Sequence, residues 1–391
     1  MKIYLDNGST TQVDKEVAKV MNVFLAEKYG NASSLHQFGR EAKEALERAR
    51  EIIARKINAL PEEIIFTSSG SESNNTILKG LAFQKGKGHI ITTKVEHPCI
   101  LGTCNYLSKK GFDITYLDVD RYGFADLEQL EKSIRKDTIL VSVIHANNEI
   151  GTINELEAIG KICRKYNVLF HSDCVQSFTK VTIDVKKMNL SFASFSAHKI
   201  HAQKGIGALY IKKGIKIEKL VHGGHQENNF RAGTENIPGI VGFGKAVEMA
   251  KEEYIPKITK LRDKLIKGLL KIPNTQLNGH AKKRLCNNVS ISFNFIEGEG
   301  LLMHLDAKGI AVSTGSACSS QSLEPSHVLM AIGLKHEIAH GTIRFTLSRY
   351  TTDKEIDYTI KTVKEVVKNL RKISPIKEGF VYNKEEYAHS H

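Results

Sequence analysis

Residues 138–176, TILVSVIHANNEIGTINELEAIGKICRKYNVLFHSDCVQ, decide the fold. An apolar run of strand length (138–146) gives way to an amphipathic helix pattern (156–167) and then to a second apolar run (168–173). Two strands joined through a helix lie parallel by a right-handed crossover. Parallel sheets are covered on both faces, which is why these runs are nearly all apolar and do not alternate. Working outward, EIIFTS (63–68), HIITTK (89–94), DITYLDV (113–119) and SFASFSA (191–197) read as further strands. GALYIKK (207–213) reads as one more, expected to be antiparallel. VDKEVAKVMNVFLAEKY (13–29) and HQFGREAKEALERAREIIARKI (36–57) carry apolar residues at helical spacing.

Beyond residue 213 the texture changes. A helical pattern from about 236 to 271 follows the Gly-rich stretch HGGHQENNFRAGTEN (222–236). Then come the strand pattern NNVSISFN (287–294), a helix from Glu299 to Lys308, the polar loop STGSACSSQSLEPS (313–326), the strand pattern TIRFTLSRY (342–350) and a helix near 353–373. This organisation predicts a large α/β domain over 15–250. A smaller α+β domain is expected from residues 1–14 and 251–391, with the tail from 374 onward extended. No repeat or low-complexity segment interrupts it.

Composition excludes several classes. With 41% hydrophobic residues and 30 Gly in 391, the chain has the apolar share of an ordinary globular protein. No stretch approaches the ~18 consecutive apolar residues of a membrane span. The opening MKIYLDNGSTT lacks the apolar core of a secretion signal, and six Cys without a C-x-x-C pair make no disulfide framework. A cytoplasmic protein is expected. The net charge of +13 is spread along helix patterns without a basic run. A solvated surface explains it, with an acidic protein partner next and nucleic acid last.

In such sheets ligands bind beyond the carboxyl ends of the strands. The stretches that follow the strands are TSSGSESNN, EHP, HANNEIG, DCVQ and SAHK, and they are expected to converge on one crevice. Gly70 and Ser71 stand just before a helix, where free N–H groups and the helix dipole can cradle a phosphate. An ordinary helix cap would read the same way. Asp173 ends an apolar strand, where a carboxylate is costly unless paired, and a protonated heteroaromatic nitrogen would pair with it. Lys199, placed at a strand end beside Ser196 and His198, can form a Schiff base with an aldehyde. Arg344, in a strand of the second module, has the planar fork that grips a carboxylate, although an internal salt bridge would serve it as well. Cys318 lies in a polar Gly/Ser loop, the context of a reactive thiol. Cys163 reads as core, Cys174 lies beside the candidate site, and Cys99, Cys104 and Cys286 have no comparable context.

Asp173 to Gln176 followed by Ser196, His198 and Lys199 resembles the pyridoxal-phosphate signature of class V aminotransferase-like enzymes. The rest of the chain resembles the cysteine desulfurases of the NifS and IscS type. In order, YLDNGSTT (4–11), GNASSLH (30–36), FTSSGSESNN (66–75), VEHP (95–98), HANNEIG (145–151), SFSAHKIHAQKGIGALYI (194–211), RAGTEN (231–236), NVSISFNFIEGEGLL (288–302), STGSACSSQSLEPSHVL (313–329) and IRFTLSRYTT (343–352) each have a counterpart, over residues 3–375. The chain departs from the family in Ala202-Gln203, where a Gly-Pro pair is usual, in GNASS for GNPSS, and in Ser71 for Thr.

The resemblance implies the fold type I architecture of pyridoxal-phosphate transferases. It also implies an enzyme that converts L-cysteine to L-alanine and carries the sulfur as a persulfide on Cys318. By the same resemblance Lys199 bonds the cofactor and moves the Cα proton, Asp173 binds the pyridine nitrogen, Gln176 the ring hydroxyl, and His97 stacks on the ring. Gly70, Ser71, Ser196 and His198 grip the phosphate, and Thr234 reaches the phosphate of the neighbouring subunit of a homodimer. Arg344 with Asn148 binds the substrate carboxylate. An iron–sulfur scaffold protein and other sulfur acceptors, with tRNA thiolation among the uses, are the implied partners. The resemblance implies no resident metal, with Cys318 shared in a transient cluster on a scaffold. A selenocysteine lyase or aminotransferase of the same fold, or a catalytically inactive scaffold in a sulfur-transfer complex, stays open at this point.

Overall fold

The computed structural model describes residues 2–314 and 325–375. After a two-residue strand β1 (Ile3–Tyr4) and helices at Lys15–Ala26 and Gln37–Lys56 come the strands β2 (Ile64–Thr67), β3 (His89–Thr93), β4 (Asp113–Leu117), β5 (Thr138–Ser142), β6 (Leu169–Asp173), β7 (Phe192–Ser196) and β8 (Gly207–Ile211). They form one seven-stranded sheet in the order β2-β8-β7-β6-β5-β3-β4. Strands β4 to β7 pair in parallel, whereas β8 is antiparallel to both β7 and β2. Inserting β8 therefore returns β2 to the direction of the others, and its carboxyl end falls on the same edge as theirs.

Alternate side chains of these strands enter two cores, as a pleated strand requires. Ile91, Val141 and Phe170 join the core under the helices Lys15–Ala26, Gln37–Lys56 and Ile237–Met249. Their neighbours Ile90 and Leu140 join the opposite core with Ile77, Leu81 and Ile100 of the helices Gly70–Lys85 and Pro98–Ser108. Burial on both faces is the reason the strands show no exposed polar face, and polar residues within them such as His171 and Ser194 are themselves buried.

A second, four-stranded antiparallel sheet has the order β12-β13-β10-β9, built from β9 (Thr275–Leu277), β10 (Asn288–Phe293), β12 (Ser313–Thr314) and β13 (Thr342–Thr346). Helices Tyr254–Leu269, Gly298–Ala307 and Asp353–Ile373 cover it with a separate core. Ile3 and Leu5 belong to that core, and β1 pairs in parallel with β11 (Ile310–Ala311). The chain therefore begins on the small sheet and then crosses to the large one.

Two expectations are corrected. The helical pattern from 236 to 271 is two helices, Ile237–Met249 and Tyr254–Leu269, because Ala250 leaves helical geometry at ψ 75° and Pro256 cannot continue a helix from the preceding turn. Gly70 and Ser71 lie inside the helix and not before it. Ser69 is the cap, its side chain accepting from the Glu72 N–H. No helix among the described residues is long and apolar enough to cross a membrane.

Candidate active site

A cavity of about 320 Å³ opens at the carboxyl edge of the large sheet. The carboxyl ends of β6 and β7 and the segments after β2, β3, β5, β6 and β7 all reach it, contributing Gly70 and Ser71, His97, Asn148, Asp173 and Gln176, and Ser196, His198 and Lys199. Arg344 of β13 closes it from the small sheet, and Gly8 and Ser9 line it from the first segment. Glycine makes the floor possible. A Cβ on Gly207 would stand 2.7 Å from the Ser69 backbone, and one on Gly70 would stand 2.6 Å from Val175 Cγ2. Both contacts are too close for any other residue, so the start of the helix Gly70–Lys85 is seated tightly against β8 and the loop after β6.

Asp173, buried at the end of β6, accepts from Asn74 Nδ2 at 2.7 Å and from the Val175 N–H at 2.9 Å. Those bonds fix the carboxylate in one orientation. Asn74 follows Gly70 by four residues, so one helix turn aims both at the cavity. Lys199 Nζ donates to the carbonyls of Gly8 (2.6 Å) and Ser9 (2.7 Å), and Gln176 Nε2 donates to the same Gly8 carbonyl at 2.9 Å. The amine is thus held at the cavity wall by the opening segment of the chain.

His97 caps the helix Pro98–Ser108, and its Nδ1 accepts from the Cys99 N–H at 3.2 Å. A neutral ring so bonded carries its proton on Nε2. Burial holds the His97 pKa below the ordinary value against the pull of Asp173, with Lys199 also disfavouring the cation. His198 is pushed down to about 4 by burial and then by Lys199, Lys204 and Lys180, so it too is neutral at physiological pH. Its Nδ1 lies 3.2 Å from Thr10 Oγ1.

Arg344 is almost wholly buried. Nη2 donates to Ser9 Oγ at 2.7 Å and pairs with Asp6 at 3.2 Å, and Nη1 donates to the Asn148 carbonyl at 3.1 Å. Nε has no hydrogen-bond partner among the described residues, and neither has Asn74 Oδ1. Unpaired buried polar atoms are rare, and both belong to residues that line the cavity.

The site suits the cofactor that the resemblance implies. A fixed carboxylate, an amine, a neutral imidazole and the N-terminus of a 16-residue helix surround one space. Thr234 stands apart, exposed in a separate groove with Arg231, and does not line this cavity. Cys318 lies outside the described residues, as does the tail from 376.

Four residues that shape the site were given no role in the reading above: Asp6, Ser9, Asn74 and Cys99. The i, i+4 spacing of Gly70 and Asn74 carried a signal. Asp6 and Ser9 meet Arg344 across more than 330 residues, which no local pattern reveals. Cys99 lines the cavity 3.1 Å from His97 Nδ1, contrary to the expectation that it lacks context, yet burial pushes its thiol up to about 12, so it stays protonated. Cys104, Cys163, Cys174 and Cys286 are buried.

At the Ala202-Gln203 departure the turn after Lys199 closes without proline. His201 takes a positive φ of 72°, and the buried Ala202 donates its N–H to the Ala197 carbonyl.

Comparison with known proteins agrees with the architecture. The aminotransferase class-V family model matches residues 3–359. The cysteine desulfurase IscS of Dictyoglomus turgidum is 52% identical over 390 residues, covering 98% of this chain and 99% of its own. A solved NifS-like protein superposes with a TM-score of 0.89 at 44% identity, over 95% of this chain and 100% of the other. A structure of SspA in complex with cysteine superposes at 0.82 and 37% identity, over 90% and 100%. With the family model spanning most of the chain and relatives near half identity end to end, this chain belongs to the class V aminotransferase family.

Proposed function

We propose that the chain is a pyridoxal-phosphate-dependent cysteine desulfurase, forming L-alanine from L-cysteine and leaving the sulfur as a persulfide on Cys318. The convergence of Lys199, Asp173 and Arg344 on one cavity carries this reading, because it sets an amine, a ring-nitrogen partner and a carboxylate clamp around a single space. When bound, the cofactor supplies an electron-withdrawing ring that weakens the bonds at the substrate's Cα and Cβ. The protein supplies the rest. Asp173, already oriented by Asn74 and Val175, would keep a ring nitrogen protonated, and Gln176 would meet the ring hydroxyl. Lys199 Nζ would move the Cα proton, and neutral His97 would lie against the ring and assist. Gly70, Ser71, Ser196 and His198 would hold the phosphate. Arg344, with Asn148, orients the amino-acid carboxylate.

Cys318 attacks the substrate sulfur as a thiolate. The carbon–sulfur bond breaks, a sulfur–sulfur bond forms, and the substrate carbon takes a proton to become alanine. Thr234, exposed and away from the cavity of its own chain, serves the phosphate of a neighbouring subunit in a homodimer. The persulfide goes to an iron–sulfur scaffold and to other acceptors such as the tRNA thiolation route, with Cys318 shared in a transient cluster on the scaffold. The tail 376–391 offers a docking segment. A persulfide carrier with few cysteines suits the reducing cytoplasm.

Borohydride treatment of the yellow holoenzyme is expected to fix a pyridoxyl group on Lys199 and on no other lysine, as mapped by peptide mass spectrometry. A colourless protein that no added cofactor reconstitutes would overturn the reading.

A further inference from the structure

The loop that follows β5 and carries Asn148 is gripped from the small-sheet side by a buried arginine. Arg284, in the segment that leads into β10, directs its guanidinium entirely at neutral oxygens. Nε donates to the Asn288 carbonyl at 3.2 Å, and Nη1 to the carbonyls of Asn278 (3.2 Å) and His280 (3.4 Å). Nη2 donates to the Ile150 carbonyl at 3.0 Å and to Asn288 Oδ1 at 3.2 Å. A guanidinium has five N–H groups, and each of them meets an oxygen here. Asn288 extends the grip, its Nδ2 donating to the Glu149 carbonyl at 3.1 Å and, more loosely, to the Asn148 carbonyl at 3.5 Å. Two backbone bonds run alongside, from the Leu285 N–H to the Gly151 carbonyl and from the Ile153 N–H to the Lys283 carbonyl.

The contact leaves no slack. Gly151 has a φ of 77°, and a Cβ there would stand 2.7 Å from Asn288 Oδ1. Gly279 has the same φ, and its Cβ would stand 2.5 Å from the Ile150 carbonyl oxygen. Holding a cation here is costly. Burial, and then the charge of Arg262, pushes the Arg284 pKa down to about 9, so it stays charged at pH 7. An apolar side chain would fill such a volume at lower cost, whereas five directed donors fix where each carbonyl points.

The held loop ends in the site. The Asn148 carbonyl accepts from Arg344 Nη1 at 3.1 Å, and both residues line the cavity. Direct contacts thus run from Arg284 through Asn288 and the loop carbonyls to the Arg344 guanidinium, and they join the module that carries Asn148 to the module that carries Arg344.

We propose that Arg284 is a positioning residue for the substrate carboxylate: with Asn288 it sets the Asn148 carbonyl against Arg344 and so aims the guanidinium before substrate arrives. The inference rests on Arg344 being the residue that binds the carboxylate of L-cysteine.

Steady-state kinetics of the holoenzyme test it, comparing wild type, Arg284→Lys, Arg344→Lys and the double variant. Lysine offers three donors from one point and cannot reproduce the grip. Arg284→Lys should raise KM for L-cysteine roughly three- to tenfold, the scale of one lost hydrogen bond, with kcat little changed and the cofactor absorption unaltered. In the Arg344→Lys background the same substitution should change KM by less than about twofold, because residues acting through one contact are not additive. Asn288→Ser carries the same comparison where Arg284→Lys fails to fold. A folded variant with a lowered Tm and a wild-type KM would make the clamp merely structural and overturn the proposal. A KM effect that multiplies in full with that of Arg344→Lys would overturn it too, by placing the action elsewhere. If Arg344→Lys alone leaves KM unchanged, the role given to Arg344 falls and this inference falls with it, a failure told apart by that single variant.

Discussion

The crevice wall built by the large sheet and the wall supplied by β13 hold their charged groups in opposite ways. On the sheet wall Asp173 has two donors fixed on it and Lys199 is pinned to two carbonyls. Burial keeps His97 neutral there. On the β13 wall the Arg344 guanidinium is divided among Asp6, Ser9 and the Asn148 carbonyl, with Nε left over. Asp6 keeps part of its surface in water, so its pairing with Arg344 is the easier one to exchange. The difference teaches which wall receives a resident group and which a visiting one. Fixed geometry suits a cofactor that stays through every turnover, whereas an incompletely used guanidinium suits a carboxylate that must bind and leave.

Cys318→Ser tests the division most severely. A hydroxyl is a far poorer nucleophile than a thiolate at neutral pH, so alanine formation should fall by about three orders of magnitude or more. The sheet wall is untouched, so colour should persist and cysteine should still shift the cofactor spectrum. Loss of colour in this variant would mean that the two functions are not separable. Cys104→Ser and Cys163→Ser, which alter thiols buried in the cores, should leave turnover largely intact.

Arg344→Lys addresses the β13 wall alone. Replacing a planar fork by a point charge should cost about 1.5–3 kcal/mol of substrate binding, which is roughly a ten- to hundredfold rise in KM with unchanged cofactor absorption. An unchanged KM would assign Arg344 to its Asp6 salt bridge and remove the visiting-carboxylate side of the comparison.

The two walls also differ in how far the sequence reveals them. Asp173 ends β6 and Lys199 follows β7, short strands rich in aromatic and small residues between helix patterns, so strand ends and the candidate site segments could be read together. Arg344 was visible as a charge in a strand. Its partners were not, because Asp6 and Ser9 lie at the far end of the chain and are brought across by the pairing of β1 with β11 and the bridge from Asp6 to Thr346 of β13. The break at Ala250 was hidden for another reason. Apolar residues keep helical spacing on both sides of it, and a change of ψ at one residue leaves no mark on periodicity.

Glu149 decides whether Arg344 is balanced from within the protein. It follows Asn148, is buried, and accepts a hydrogen bond from Ser326 Oγ. Burial raises its pKa to about 7, opposed by the Ser326 bond and by the charge of Arg344. A carboxyl whose pKa is higher folded than unfolded stabilises the fold fully below the unfolded value near 4.5. That contribution is lost as pH rises through about 7. Between pH 5.5 and 7.5 the loss is about 2 kcal/mol, or a few degrees of Tm for a chain of this size. Glu149→Gln is neutral throughout and still presents an acceptor to Ser326. Its Tm should therefore gain on that of wild type by about two to three degrees between those pH values, measured by scanning calorimetry at one heating rate. A gap that stays constant would show Glu149 ionised across the range and neutralising Arg344, leaving the β13 wall as fully paired as the sheet wall it faces.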